Sequence, residues 1–330
     1  MAEYLTNTAD LTAVADAIRA KGGTSAQLIY PSGFVSAIQA IQTGITPKLV
    51  VTTTPGAAIT ATPAEGFKVV KGTAGADGMC TLELPKAGTW NVTAMANSVS
   101  NSQNIVIGTQ NMLLPLYHDT FANNTWEEII TVCRTGIAPD SWAVGDSKTM
   151  NIGGTAYQVD IIGKNHDEYA DGSGTAPLTF QLHDCYSEAK QMYSINLSGL
   201  GWKNTDMRLT YLPAILALMP AEVQNGIRAV NKKTSEGGNS TTIETVSDTL
   251  FLLSEVEIFG TASSSVAGEG SQYDYYKAGN PKIKKREGVD EFWWERSSAS
   301  GGMFCSVRAN GQAGASNASN SLGVSFAFCF

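Results

Sequence analysis

The run GVSFAFCF, residues 323–330, constrains this chain more than any other stretch. Val324, Phe326, Phe328 and Phe330 alternate with Ser325, Ala327 and Cys329. That period of two puts every second side chain on the same face of a strand, so the run is expected to be a strand with one heavily apolar face. Immediately before it, SVRANGQAGASNASNSLG (306–323) is nearly all Ser, Ala, Asn and Gly. Such a composition normally marks a disordered, solvent-swollen segment. Here EFWWERS (291–297) bounds it on one side and the Phe-rich run on the other. The small polar residues are therefore expected to lie inside the fold, held at both ends.

The rest of the composition agrees with a globular chain. Of 330 residues, 43% are hydrophobic, enough for buried cores, while only 16% are charged and 33 are glycine. That balance favours strands, turns and loops over long helices, and the length suggests two or three domains at roughly 100 to 200 residues each. A net charge of −8 argues against a general nucleic-acid binder, which carries a basic face. The one basic cluster, KIKKRE (282–287), reads as a solvated loop. Cys80, Cys133, Cys185, Cys305 and Cys329 are odd in number and form no CxxC pair. Neither a zinc site nor a disulfide framework is signalled, and they read as small buried hydrophobes of a protein made in a reducing cytosol. The start of the chain lacks the cationic and unbroken apolar regions of a secretory signal. No apolar run approaches the ~20 residues needed to cross a bilayer, so membrane insertion is not expected.

Residues 1–45 read as a helical attachment segment. In ADLTAVADAIRAKGG, Leu11, Val14, Ala15 and Ile18 recur at helical spacing, with Asp10 placed to cap and Gly22 to stop. PSGFVSAIQAI repeats the pattern with Phe34, Ile38 and Ile41. Each apolar stripe needs a neighbour: the rest of the chain, another subunit of a homo-oligomer, or a larger assembly. Residues 46–110 change to period two. KLVVTTT, GFKVVKG, CTLELPKAGTWNVTAMA and QNIVIG are short β-branched runs between turn residues, the pattern of a small antiparallel sandwich.

Residues 111–330 are larger and mixed, so the chain as a whole is expected to be α+β. NTWEEIITVCRTG predicts a helix with Thr125 and Glu128 at capping-box spacing and Gly136 as the stop. SWAVGDSKTMNIGGTAYQVDIIGKNHD predicts a hairpin around Gly153-Gly154. DMRLTYLPAILALMPAEVQNGIRAVNKKT predicts two helices, with Pro213 near the first turn of one and Pro220 opening the other. TLFLLSEVEIFG predicts a strand.

Chemical motifs are few. His118, His166 and His183 have no partner at metal-ligand spacing, and HExxH, GxSxG, a Walker loop and GxGxxG before a helix are all missing. NHDEYADGSG (165–174) gathers Asp167, Glu168 and Asp171 with glycine, but lacks the EF-hand order. An ordinary acidic turn is the plainer reading, with calcium near Asp167 left open. Glu255 and Glu257 would share one side of their expected strand, a pairing that suits acid–base work but is commoner in structural roles. No catalytic residue, metal ligand or cofactor is assigned.

Two sets of residues carry resemblances. AGTWNVTAMAN resembles the penultimate strand of bacterial immunoglobulin-like modules, with Trp90, Val92 and Ala94 facing the core. IIGKNHDEYADGSG, LTFQLHDC, LFLLSEVEIFG, GEGSQYDYY and FWWERS…FCSV…NG…A…GVSFAF resemble a domain recurring in tail proteins of phages and prophages of gut bacteria. LTNTADLTAVADAIRAKGGTS…YPSGFVSAI is similar to an N-terminal segment of such proteins. The resemblance implies a C-type lectin-like fold for 111–330, in the branch shared with formylglycine-generating enzymes and with variable proteins of diversity-generating retroelements. In the variable proteins a hypervariable segment lies between a Trp–Arg–Ser motif and a closing Gly-Val strand. Here those landmarks are Trp294, Arg296, Ser297, Gly323 and Val324, giving a variable region of about 297–323.

The resemblance implies a non-enzymatic binding protein on a phage tail, made in the host bacterial cytoplasm and carried in the virion. Its partners would be a bacterial cell-surface protein or glycan, and tail components through the N-terminal segment, with no nucleic acid. Mutagenesis of template adenines in such genes cannot yield Met, Trp, Gln, Lys or Glu. Met303, Gln312, Trp293, Trp294 and Glu295 are therefore expected to be fixed. Phe304 and Val307 would point inward. Ser298, Ala299, Ser300, Ser306, Arg308, Ala309, Asn310, Ala313, Ala315, Ser316, Asn317, Ser319 and Asn320 would face a ligand. Tyr273, Tyr275 and Tyr276 would either add aromatic contacts or pack. Two alternatives remain at this stage. One is a structural tail or decoration protein with no diversified site. The other is a relative of the formylglycine-generating oxidases, against which Cys305 and Cys329 are too far apart in sequence and Ser325 stands in place of an arginine.

Overall fold

The computed structural model describes residues 8–22, 28, 47–107, 110–238 and 240–330. The chain is mixed α+β with strands dominant, 37% strand against 17% helix. It divides into two compact units after Tyr117.

The first unit opens with α1 (Thr8–Gly22). Ala15 and Ile18 are buried and pack with Leu11 and Leu28, but Val14 is 48% exposed and leaves the expected stripe. Asp10, expected as the cap, lies inside the helix, which begins at Thr8. The second expected helix, with Phe34, Ile38 and Ile41, lies outside the described residues.

Seven strands follow: β1 (Lys48–Thr52), β2 (Ala58–Pro63), β3 (Val70–Thr73), β4 (Met79–Glu83), β5 (Gly88–Ala96), β6 (Val99–Ile107) and β7 (Gln110–Leu113). They form a three-stranded sheet in the order β4-β1-β7 and a four-stranded sheet in the order β3-β2-β5-β6. Alternate residues of both sheets are buried together, among them Leu49, Val51, Ile59, Ala61, Trp90, Val92 and Ala94. Each large side chain so removed from water contributes about 1.5–3 kcal/mol. One departure is that β7 runs parallel to β1, pairing Leu49 with Gln110 and Thr52 with Leu113. The strand therefore completes this unit, and the division falls after Tyr117 rather than at the expected 110.

The second unit begins with α2 (Trp126–Cys133), capped by the reciprocal Thr125–Glu128 pair as its spacing predicts. Gly136 takes φ +79° just beyond it. The hairpin of β8 (Ser147–Ile152) and β9 (Thr155–Lys164) turns at Gly153-Gly154, and β10 (Leu178–Leu182) continues the sheet. Then come α3 (Leu212–Leu216), with Pro213 in its first turn, and α4 (Ala221–Gly226), opened by Pro220. β11 (Val230–Ser235) and β12 (Ile243–Asp248) form a hairpin. α5 (Glu255–Phe259) and α6 (Asp274–Lys277) precede the short hairpin β13 (Lys284–Arg286) and β14 (Val289–Glu291). The chain ends with β15 (Trp293–Ser298), β16 (Met303–Val307), β17 (Ala313–Asn317) and β18 (Ala327–Cys329). β18 returns to pair with β10, giving an antiparallel sheet β18-β10-β9-β8. Phe180 on β10 centres an aromatic cluster with Phe121, Trp126, Phe328 and Phe330, at ring separations of 5.3–6.1 Å.

Three expectations are corrected. SEVEIFG is not a strand: the Ser254 hydroxyl and Glu257 carboxylate form a capping box that starts α5, and Gly260 ends it at φ +76°. The basic cluster 282–287 is only partly solvated, because Lys284 is buried in β13 and donates to the carbonyls of Leu182 at 2.6 Å and His183 at 2.7 Å. The closing run is strand only from Ala327 to Cys329, and both of its faces are covered. Ser325 is as buried as the phenylalanines, its hydroxyl donating to Leu182 O at 2.9 Å.

Candidate functional site

β15, β16 and β17 form a three-stranded antiparallel sheet whose last two strands and their turn take up the small polar segment as far as Asn317. β16 pairs with β17 without a break, from Met303 opposite Asn317 to Val307 opposite Ala313. The turn between them is closed by Arg308 N–H to Gln312 O at 2.8 Å and by Gly311 at φ +81°. The turn between β15 and β16 needs glycine at 302. Its φ is +79°, and a Cβ there would lie 2.6 Å from the carbonyl oxygen of Asn196. The far end is pinned by Trp294 N–H to Gly323 O at 3.0 Å and Gly323 N–H to Phe292 O at 2.8 Å. What looked like a tail is ordered backbone with both ends tied.

Of the expected ligand-facing residues, Ser300, Arg308, Asn310, Asn317 and Asn320 are exposed. Ala309, Ala313, Ala315, Ser316 and Ser319 are half-buried. Ser298, Ala299 and Ser306 are corrections: all three are buried. The Ser298 hydroxyl donates to Gly238 O at 3.1 Å. Ala299 N–H donates to Met303 O at 2.9 Å, and its carbonyl accepts from the Ser198 hydroxyl at 2.8 Å. Ser306 Oγ meets Ser316 Oγ at 3.2 Å. Phe304 and Val307 are fully buried, as their place in the segment predicts, and Trp293, Trp294 and Glu295 are buried with them. Tyr273, Tyr275 and Tyr276 pack inside the unit rather than facing outward.

Behind β15 lies an ionic cluster that sequence reading did not assemble. Arg296 is fully buried and grips both oxygens of the Glu257 carboxylate, one through Nη1 and one through Nη2 at 2.9 Å. It also donates to Leu252 O at 3.0 Å, Lys233 O at 3.0 Å and Glu269 O at 2.8 Å. One guanidinium thus joins β15 to α5, to β11 and to the loop at Glu269, a planar fork that lysine does not reproduce. Glu257 Oε1 also lies 2.7 Å from Lys232 Nζ, and Lys232 in turn lies 2.6 Å from Asp167 Oδ1. The second Asp167 oxygen accepts from the Thr179 hydroxyl at 2.6 Å and the Tyr273 hydroxyl at 2.8 Å. Burial alone would raise both carboxyls. The charges of Arg296 and Lys232 hold Glu257 below the ordinary range, and Lys232, His166 and the Thr179 hydroxyl do the same for Asp167.

A polar cleft of about 450 Å³ opens over this cluster, lined among others by His166, Asp167, Lys232, Thr245 and Glu257. Ligand atoms of His166, Asp167 and Glu257 all lie within 4.8 Å of one another. The Lys232 ammonium stands in contact with both carboxylates, however, and supplies the positive charge that they need. The acidic loop is divided in the same way: Asp171 faces outward to Arg228 at 2.6 Å, and Glu168 is exposed. The three carboxylates therefore have separate surroundings and are not arranged as one calcium loop.

A second group sits on the other side of the same strand residues. Glu255 is buried and accepts from the backbone and hydroxyls of Ser263 and Ser265 at 2.7–3.0 Å, so it ties down a loop. Glu295 is buried with neither carboxylate oxygen partnered, and one oxygen of Glu269 is likewise unpaired. Burial first, then the nearby Glu255 and Glu269, push the Glu295 carboxyl well above the ordinary range. Cys305 lies 3.9 Å from Glu255, and Cys329 lies 3.5 Å from Thr179. Burial drives both thiols up, so both are held as thiols. All five cysteines are buried and free.

The spacing of Lys232, Glu257 and Arg296 along the chain follows no local motif. The legible signal was a charged pair, Glu295-Arg296, inside an otherwise aromatic strand, since charges are almost never fully buried unless paired.

Fold and site together define a two-unit chain whose C-terminal part presents a small, polar, end-tied sheet on a buried ionic base. The family described as a domain of unknown function (DUF6273) matches residues 179–330, just under half of the chain. That span runs from β10 to the end and includes Lys232, Glu257 and Arg296, with Asp167 before it. No curated protein matches the chain, and no solved structure does.

Proposed function

We propose that this chain is a non-enzymatic binding protein of a phage tail. In this reading the second unit is a C-type lectin-like scaffold of the variable-protein kind, the first an immunoglobulin-like spacer, and the N-terminal segment an attachment to the tail. The surface made by the turns around β16 and β17 recognises a bacterial cell-surface protein or glycan. One observation carries the reading: the exposed side chains Ser300, Arg308, Asn317 and Asn320 project from backbone fixed by other residues. Loops of that kind change their side chains while the fold stays the same. The anchors Trp293, Trp294, Arg296, Phe304 and Val307 all lie in the buried interior.

The test is retention on envelope fractions of gut bacteria. The chain as it stands is compared with a variant carrying Tyr at 310, 317 and 320. This copy displays no aromatic residue there, and Tyr is a common anchor in binding surfaces. Different retention spectra support the reading. Equal retention of both on every envelope overturns it and favours a structural tail protein.

A further inference from the structure

Lys232, Asp167 and Glu257 form a group that a simple ion pair does not require. Lys232 Nζ is 2.6 Å from Asp167 Oδ1 and 2.7 Å from Glu257 Oε1, and all three side chains are 2–3% exposed. The ammonium sits 4.3 Å from the centre of the Phe251 ring. Asp167 Oδ2 accepts from the hydroxyls of Thr179 at 2.6 Å and Tyr273 at 2.8 Å, and the Tyr273 hydroxyl itself accepts from Lys232 Nζ at 3.0 Å. Burying two opposite charges is unfavourable unless their geometry is very good, and a reaction that consumes both removes that cost. Proximity of this kind also removes most of the entropic barrier to a bond between the two groups.

We propose that Lys232 and Asp167 condense to an intramolecular amide, with Glu257 as the proton carrier. One ammonium proton passes along the 2.6 Å hydrogen bond to Asp167 Oδ1, which leaves a neutral amine facing an uncharged carboxyl and frees the Nζ lone pair to attack Cγ. The charge that develops on Oδ2 is met by the Thr179 and Tyr273 hydroxyls, two donors already in place. The bond from Cγ to Oδ1 then breaks. Oδ1, already carrying one proton, leaves as water once Glu257 has taken a second proton from the attacking nitrogen and handed it on. Ammonium and carboxylate thus become one neutral amide and one water, with no oxidant, reductant or co-reactant. Glu257 ends ionised, as it began, and stays paired with Arg296. The bond joins the loop before β10 to β11 across 65 residues of chain.

The measurement is the intact mass of the purified full chain in denaturant, followed by fragment analysis of a protease digest. The expected result is a mass lower by one water and a branched peptide joining Lys232 to Asp167. Lys232→Arg keeps the positive charge but offers no nucleophilic amine, and is expected at full mass while still folded by circular dichroism. Asp167→Asn is expected to lose ammonia in place of water. Full mass of the folded wild-type chain after prolonged incubation at neutral pH overturns the proposal. So does a lost water that fragmentation places elsewhere, for example at Asp171-Gly172.

Discussion

The amide of Trp294 donates to the carbonyl of Gly323 at 3.0 Å, and Trp294 also stands opposite Ser306 in the β15–β16 pairing, so one residue meets both ends of the small polar segment. Trp293 and Gly323 also face each other in a parallel bridge. β16, β17 and their turns therefore form an excursion closed at its root.

The root leaves no room for a side chain. A Cβ on Gly323 would lie 2.5 Å from Cys185 Sγ and 3.1 Å from Glu291 Cγ. Gly323→Ala is expected to lower stability by about 1–3 kcal/mol, the usual effect of overpacking. Urea unfolding checks this. Adding Cys185→Ala to the same chain should recover part of the loss, since the two positions are in contact.

Arg296 joins β15, α5, β11 and the Glu269 loop through one guanidinium. Arg296→Met leaves the Glu257 carboxylate and three carbonyls short of a buried partner. A loss of about 3–5 kcal/mol is expected, the scale for breaking one half of a buried ion pair. The midpoint of urea unfolding reads it directly.

Exposed positions at the tip should behave in the opposite way. Ser300→Ala, Asn317→Ala and Asn320→Ala are each expected to shift stability by less than about 0.5 kcal/mol, as surface changes do. A loss above ~1 kcal/mol at any of them would show that the tip helps to hold the root.

Glu295 supplies the pH dependence. Its folded-state pKa is raised by burial and by Glu255 and Glu269, so the folded chain holds a proton that the unfolded chain releases near the ordinary glutamate value of roughly 4.3. The associated stability is fully present below that value and is lost as pH rises toward the folded pKa. Glu295→Gln removes the ionisation. Relative to the wild type, its stability should therefore improve steadily as unfolding is followed from about pH 4.5 upward. A constant difference across that range would mean that Glu295 is charged in the folded state.

Local chemistry was legible in the sequence, and long-range pairing was not. The Thr125–Glu128 cap, the Gly153-Gly154 turn and the inward face of Trp90, Val92 and Ala94 depend on residues close along the chain. SEVEIFG misled because its apolar alternation is as compatible with a strand as with one buried helical turn. The Ser254–Glu257 cap decided between them. Ser298, Ala299 and Ser306 are expected to face a ligand from the resemblance alone, but they are buried against Gly238, Ser198 and Ser316, which composition cannot place beside them. The same holds for Lys232, whose partners lie 65 residues before it and 25 after.

β17 pairs with β16 on one side and with no other described strand. Its sequence, Ala-Gly-Ala-Ser-Asn, has neither the charge nor the proline that proteins use to keep sheet edges from joining. What protects it is low stickiness: small side chains give a second copy little apolar area to cover. Replacing Ala313 and Ala315 by Val or Phe would turn the same edge into a template for self-association. The plainness of this stretch then bears on neighbouring copies as well as on the chain itself. Where many copies stand close together, side chains that bind little also keep neighbours from binding one another.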